Sequence, residues 1–148
     1  MRESGPAFFT SLTLHSLAMG FVVGINFAIA LRLIGFVPTL SIASLTRFYR
    51  LHWYCAALIF LSGMALLLAY PAKALTNPVF YLKLAALTTG LLLSRYFQQS
   101  LANHPDQASI SKSISALAYL SIGLWLLTIT AGRFLAYTHN VLLASRFY

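Results

Sequence analysis

Three ionisable side chains stand inside otherwise apolar stretches of this 148-residue chain: His15, Lys83 and Arg133. A charge near the bilayer centre costs about 2.5–3.5 kcal/mol on insertion scales, so such residues mark a function by default. An imidazole flanked by two cations suits a metal-bearing or anionic ligand, because charge-assisted hydrogen bonds strengthen at low dielectric. Spacing adds neighbours to His15. Met19 follows it by one helical turn, and Asn26 returns to the same face about three turns on. In the stretch LHWYC, His52 and Cys55 are i,i+3 and so adjacent on a helix. Imidazole with thioether or thiolate is a ligand set for heme iron or Cu(I). The candidate metal ligands are therefore His15, His52 and Cys55. The candidate cofactor-binding set is His15, Lys83, Arg133, Met19, Asn26 and His139, the last reaching back from just past the fourth apolar stretch. The plainer reading of the same residues is also open. Met19 and Cys55 then fill core, Lys83 and Arg133 reach lipid headgroups, and His15 makes an interhelical hydrogen bond.

Other chemistry is poorly provided for. Glu3 and Asp106 are the only acidic residues and neither lies in an apolar stretch. This chain alone therefore builds no carboxylate proton relay, no Mg²⁺ or Ca²⁺ cage and no di-iron site. No serine, histidine and acid gather for nucleophilic catalysis, there is no glycine-rich phosphate loop, and no catalytic residue is assigned. The single cysteine, Cys55, excludes an internal disulfide and every multi-cysteine zinc or iron–sulfur framework. His104, in the stretch NHPDQ, reads as a solvated loop residue. A net charge of +8 would point to nucleic acid in a water-soluble domain. Here the basic residues sit mostly at the ends of apolar stretches, where lipid headgroups explain them, so no nucleic-acid partner is expected.

The elements that must hold these residues are membrane helices. Hydrophobic residues make up 59% of the chain and charged residues 8%, with a mean hydropathy of +0.79. Water-soluble domains carry roughly a quarter charged residues. A chain this poor in charge takes lipid as its solvent. Four apolar runs, 8–31, 53–70, 79–93 and 114–131, approach the roughly 20 residues that cross a bilayer. The first is too long for a signal-peptide core and is expected to stay in place. Backbone groups in lipid must pair within their own segment, and no alternating barrel pattern is present, so the runs are helices. The expectation is an all-α integral membrane protein, one domain over 1–148, with a four-transmembrane-helix bundle near 8–36, 48–70, 78–99 and 113–137. Gly20 and Gly24 on the first helix permit close contact with a neighbour. Four crossings put both termini on one side, together with the 71–78 connection; call it side A. Side B holds the other two connections and carries Arg32, Arg47, Arg50, Arg95 and Lys112. The positive-inside bias then places side B in the cytoplasm and the termini in the periplasm of a bacterial inner membrane.

The stretches LHSLAMGFVVGINFAIALRLIG, NPVFYLKLAALTTG and GLWLLTITAGRFLAY resemble, over nearly the whole chain, an uncharacterised bacterial family of small four-helix membrane proteins. More distantly, a first-helix histidine with a third-helix lysine after a short loop looks like the copper-resistance D membrane domain and the HemJ-type heme-associated proteins. That similarity implies a metal or heme ligand at His15 with Lys83 as its neighbour. The sequence departs from it at Arg95, which stands where family members often carry a histidine near the end of the third helix.

The expected function is a small membrane subunit that binds heme b and takes part in electron transfer within a larger complex. On that reading Lys83 and Arg133 pair with the heme propionates. The alternative is a non-catalytic accessory subunit with no cofactor, and a further one is copper handling. In each case the partners are membrane lipid and other membrane protein subunits, and a stand-alone enzyme is disfavoured.

Overall fold

The computed structural model describes residues 5–69, 71–103 and 112–144, with side chains placed for all but Ile42, Ala72, Lys73, Asn103 and 136–144. Among the described residues the chain is all-helical. Four long helices, α1 (Gly5–Leu33), α2 (Ile42–Ala69), α4 (Pro78–Asn103) and α5 (Lys112–Ala144), are joined by short connections, one of which contains the five-residue α3 (Pro71–Leu75).

Their ends follow from local chemistry. Helix α1 stops at Leu33, short of the expected 36, because Gly35 takes a positive φ of 80°. Phe36 N–H then donates to Leu31 O at 3.0 Å and Gly35 N–H to Arg32 O at 3.1 Å. This is the glycine-terminated Schellman arrangement, which satisfies carbonyls the helix would leave open. Helix α2 begins at Ile42, six residues and under two turns before the expected 48. Ser41 Oγ accepts from Ser44 N–H at 3.1 Å, an N-cap that outweighs the polar composition of that stretch. Asn77 caps α4 in the same way, accepting from Val79 N–H at 3.0 Å with Pro78 at the first helical position. The connection expected over 71–78 includes α3, and α4 and α5 continue past 99 and 137.

Three helices, α1, α2 and α5, are long and apolar enough to cross a membrane; α4 is not. The expected four-helix bundle is therefore matched by four long helices, of which three qualify as spans by length and composition. Between Lys83 and Arg95 α4 offers only LAALTTGLLLS, eleven residues with two threonines and a serine. At 1.5 Å per residue that covers roughly 16 Å, about half of a hydrocarbon core.

The bundle is a ring. Helix α1 packs along α2, α4 along α5, and α1 against α5, whereas α2 and α4 meet at few points. Two apolar clusters fill it. One gathers Ile25, Ile29, Leu33, Tyr49, Phe97 and Leu101; the other gathers Met19, Val22, Val23, Ile59 and Trp125. Large apolar side chains also cover the outside: Phe9, Leu17, Phe60, Leu68 and Leu92 are each about two-thirds exposed or more. A surface of this kind is stable in lipid and not in water.

Candidate functional site

Polar side chains join the helices in two layers, and the residues singled out from the sequence divide between them. In the layer nearer side A, His15 of α1 sits between α2 and α4. Its Nδ1 lies 2.9 Å from Ser62 Oγ and its Nε2 lies 3.4 Å from Lys83 Nζ. Ser62 Oγ in turn donates to Leu58 O at 2.6 Å. The directions are self-consistent. With the Lys83 amine donating, Nε2 accepts, Nδ1–H donates to the serine, and the serine donates to a carbonyl. Gly63 faces the ring, and a Cβ there would meet His15 Cε1 at 3.4 Å, an ordinary van der Waals contact. Gly132 faces Lys83, whose Cε and Nζ would lie 3.7 Å from an added Cβ. The lysine thus runs from α4 across α5 towards α1.

Arg133, the residue after Gly132, is exposed and does not join this layer. One step along a helix rotates a side chain by about 100°, so the residue beside the one facing Lys83 points elsewhere. Met19 also stays out of it. It is buried with Val22, Val23, Ile59 and Trp125 as core packing. The side chain of His139 and the whole of His104 lie outside the described residues.

Asn26 belongs to the second layer, nearer side B. Its Nδ2 donates to Val22 O at 2.8 Å and to His52 Nε2 at 2.9 Å. Its Oδ1 accepts from Ser94 Oγ, whose hydroxyl is also 2.8 Å from Gly90 O. One amide therefore links α1, α2 and α4. Because the amide nitrogen can only donate, His52 Nε2 accepts and the ring proton sits on Nδ1. That N–H is buried and has no partner among the described residues; nor do Tyr49 Oη, Ser121 Oγ and Trp125 Nε1. His52 is fully buried and turned to Asn26, while Cys55 remains a half-buried free thiol at the edge of the Met19 cluster.

The sequence-derived set is thus split: His15 with Lys83, Asn26 with His52. Ser62 and Ser94, which complete the two layers, were not singled out. Their signal was available, since each is a hydroxyl amid an apolar run where lipid offers no partner. A third contact closes the side B end, where Trp53 Nε1 donates to Gln98 Oε1 at 3.0 Å. The points at which α2 and α4 are tied are therefore largely polar.

Of the two His15 nitrogens, Nδ1 is held by Ser62 and Nε2 faces Lys83 Nζ at 3.4 Å. A histidine that ligates iron also hydrogen-bonds through its other nitrogen, so the Ser62 contact suits a ligand as well as a helix bridge, and iron at Nε2 would require the lysine amine to move aside. Gly20 and Gly24 are exposed on a different strip of α1. Among the described residues no three of histidine, cysteine, aspartate and glutamate come together to hold a metal, so the copper pairs lack a third ligand of these types. Comparison with protein-family models, with curated proteins and with solved structures finds no match to this chain, so the resemblances drawn above rest on the motifs that carry them.

Proposed function

We propose that this chain is a non-catalytic subunit of a larger membrane complex, held to a transmembrane helix of its partner by the outer face of α1. The observation that carries the reading is a row of small residues, Ser16, Gly20 and Gly24, spaced four apart and all exposed. A Cβ added to either glycine meets nothing within 4 Å. Small residues at this spacing let two helix backbones approach closely, which is a main source of helix association in lipid. Among the described residues the row has no partner inside the bundle, and the exposed Leu17 and Phe21 beside it supply apolar contact.

In this proposal all four long helices cross the bilayer, α4 being carried by its packing on α5. Both ends then lie on side A, and the arginine-rich side B faces the cytoplasm. The His15–Lys83 and Asn26–His52–Ser94 layers fix the bundle's geometry.

Blue-native electrophoresis of gently solubilised membranes tests the reading. The wild-type chain is expected to migrate in an assembly well above its own 16.3 kDa. The Gly20→Leu/Gly24→Leu variant should fall to the free-subunit position, and Leu120→Ala, exposed on α5, should not. Migration of the wild type at its own mass only would overturn the proposal.

A further inference from the structure

At the side B end of the bundle, where α2 and α4 diverge, lies an open crevice of about 440 Å³ lined by Thr46, Arg47, Tyr49, Arg50, Trp53 and Gln98. Five of the six come from one face of α2, spaced over its first three turns, and Gln98 faces them from α4. We propose that this crevice is a binding site for one net-anionic phosphate group, with Arg47 and Arg50 as its ligands.

Charge is the first argument. Arg47 and Arg50 are both exposed at the crevice, one helical turn apart, and no acidic side chain is present among the described residues to neutralise them. The chain's two carboxylates, Glu3 and Asp106, lie outside those residues. Two guanidinium groups on one face match the oxygens of a phosphate, which arginine recognises through paired N–H donors.

The walls are the second argument. Trp53 is held in place by its hydrogen bond to Gln98 Oε1, which also accepts from Arg95 Nη1 at 3.3 Å. The crevice is therefore tied across from α2 to α4 beside the arginines rather than formed by loose side chains alone. Tyr49, 1% exposed, forms an inner wall, and its hydroxyl has no partner among the described residues. Position is the third. The crevice opens where α2 leaves the membrane-spanning region, and the seam between α2 and α4 runs from it into the bilayer. A phospholipid would set its phosphate on the arginines and an acyl chain along that seam. A soluble phosphomonoester would use the same two arginines from the aqueous side.

Native mass spectrometry of the detergent-purified chain, with phosphatidylglycerol, phosphatidylcholine or glycerol 3-phosphate added, distinguishes these sources. One phosphate-bearing adduct per chain is expected on the wild type. Arg47→Gln/Arg50→Gln should weaken it by about tenfold or more, as loss of charged hydrogen bonds requires. Lys112→Gln, which removes an exposed charge elsewhere on side B, should leave it unchanged. Retention of phosphatidylglycerol over phosphatidylcholine identifies a lipid site, and retention of glycerol 3-phosphate alone identifies a soluble ligand; both support the proposal. Equal adduct formation by wild type and the double-arginine variant would overturn it, as would equal loss in Lys112→Gln. Circular dichroism of the double variant checks that the helices persist. Because both arginines are exposed, a misfolded variant is not expected, and Arg47→Lys/Arg50→Lys should recover part of the binding. No recovery, with the fold intact and the glutamine variant indistinguishable from it, would leave paired guanidinium recognition as the only supported form.

Discussion

Asn26 uses both ends of its amide inside the bundle, donating to His52 and accepting from Ser94. Interhelical hydrogen bonds in membranes contribute about 0.6 kcal/mol on average and up to about 1.7. Removing this one side chain breaks two of them and strands a buried imidazole nitrogen. Asn26→Ala is therefore expected to destabilise the bundle by about 1–3 kcal/mol, read from a denaturation titration in detergent. Ser121→Ala is the contrasting case. Its hydroxyl is buried without a partner, so its loss should change stability by less than about 0.5 kcal/mol or raise it slightly. Equal losses in both variants would contradict this account of the interior. The residue scale also shows where sequence reasoning stops. Periodicity correctly placed His15 and Asn26 on the inward side of one helix, but one face sixteen or so ångströms long meets different neighbours at its two ends. Which neighbours these are depends on how α2 and α4 are set against α1, and intra-helix spacing holds no information about that. His52, grouped with Cys55 by spacing, spends its Nε2 on Asn26 instead, because adjacency on a helix does not decide which way an imidazole is drawn.

At the scale of elements, glycines separate the close helix contacts from the open ones. A Cβ on Gly90 of α4 would come within 3.1 Å of the Trp125 ring on α5, so the fully buried indole would have to give way by a few tenths of an ångström. Gly90→Ala should therefore cost about 1–3 kcal/mol as overpacking, despite alanine's better helix propensity. Gly123→Ala, on α5 with nothing within 4 Å of its added Cβ, should be neutral or stabilise by up to about 1 kcal/mol. Thermal unfolding of the two variants side by side checks the prediction. That the chain is helical, and roughly where each helix runs, was legible from composition and apolar run length. The helix starts were less so. Ser41 and Asn77 are capping residues whose signal was present in the sequence, yet the polar stretch after Ser41 was read as connection. Apolar run length measures what lipid tolerates, and it does not register a helix that continues into the interface with a hydrogen-bonded cap.

For the molecule as a whole, the proposed four crossings set a clear labelling pattern. In a Cys55→Ser background, Thr76→Cys and Lys112→Cys should react with a membrane-impermeant thiol reagent from opposite sides of the membrane. Labelling of both from one side would mean that α4 does not cross. The ring arrangement also bears on how the chain is made. With eleven residues between Lys83 and Arg95, α4 is a poor candidate for insertion by itself, whereas α1 and α2 each qualify alone. During synthesis α4 is complete before α5 exists, and the shape of Gly90 against Trp125 is available to it only once α5 has emerged. If all four helices cross as proposed, the two halves are expected to enter the bilayer by different routes, the first helix by helix and the second as a hairpin of α4 and α5. A chain released after Asn103 would leave its third long helix stranded at the membrane surface, exposed to quality-control proteases, while its first two were already in place.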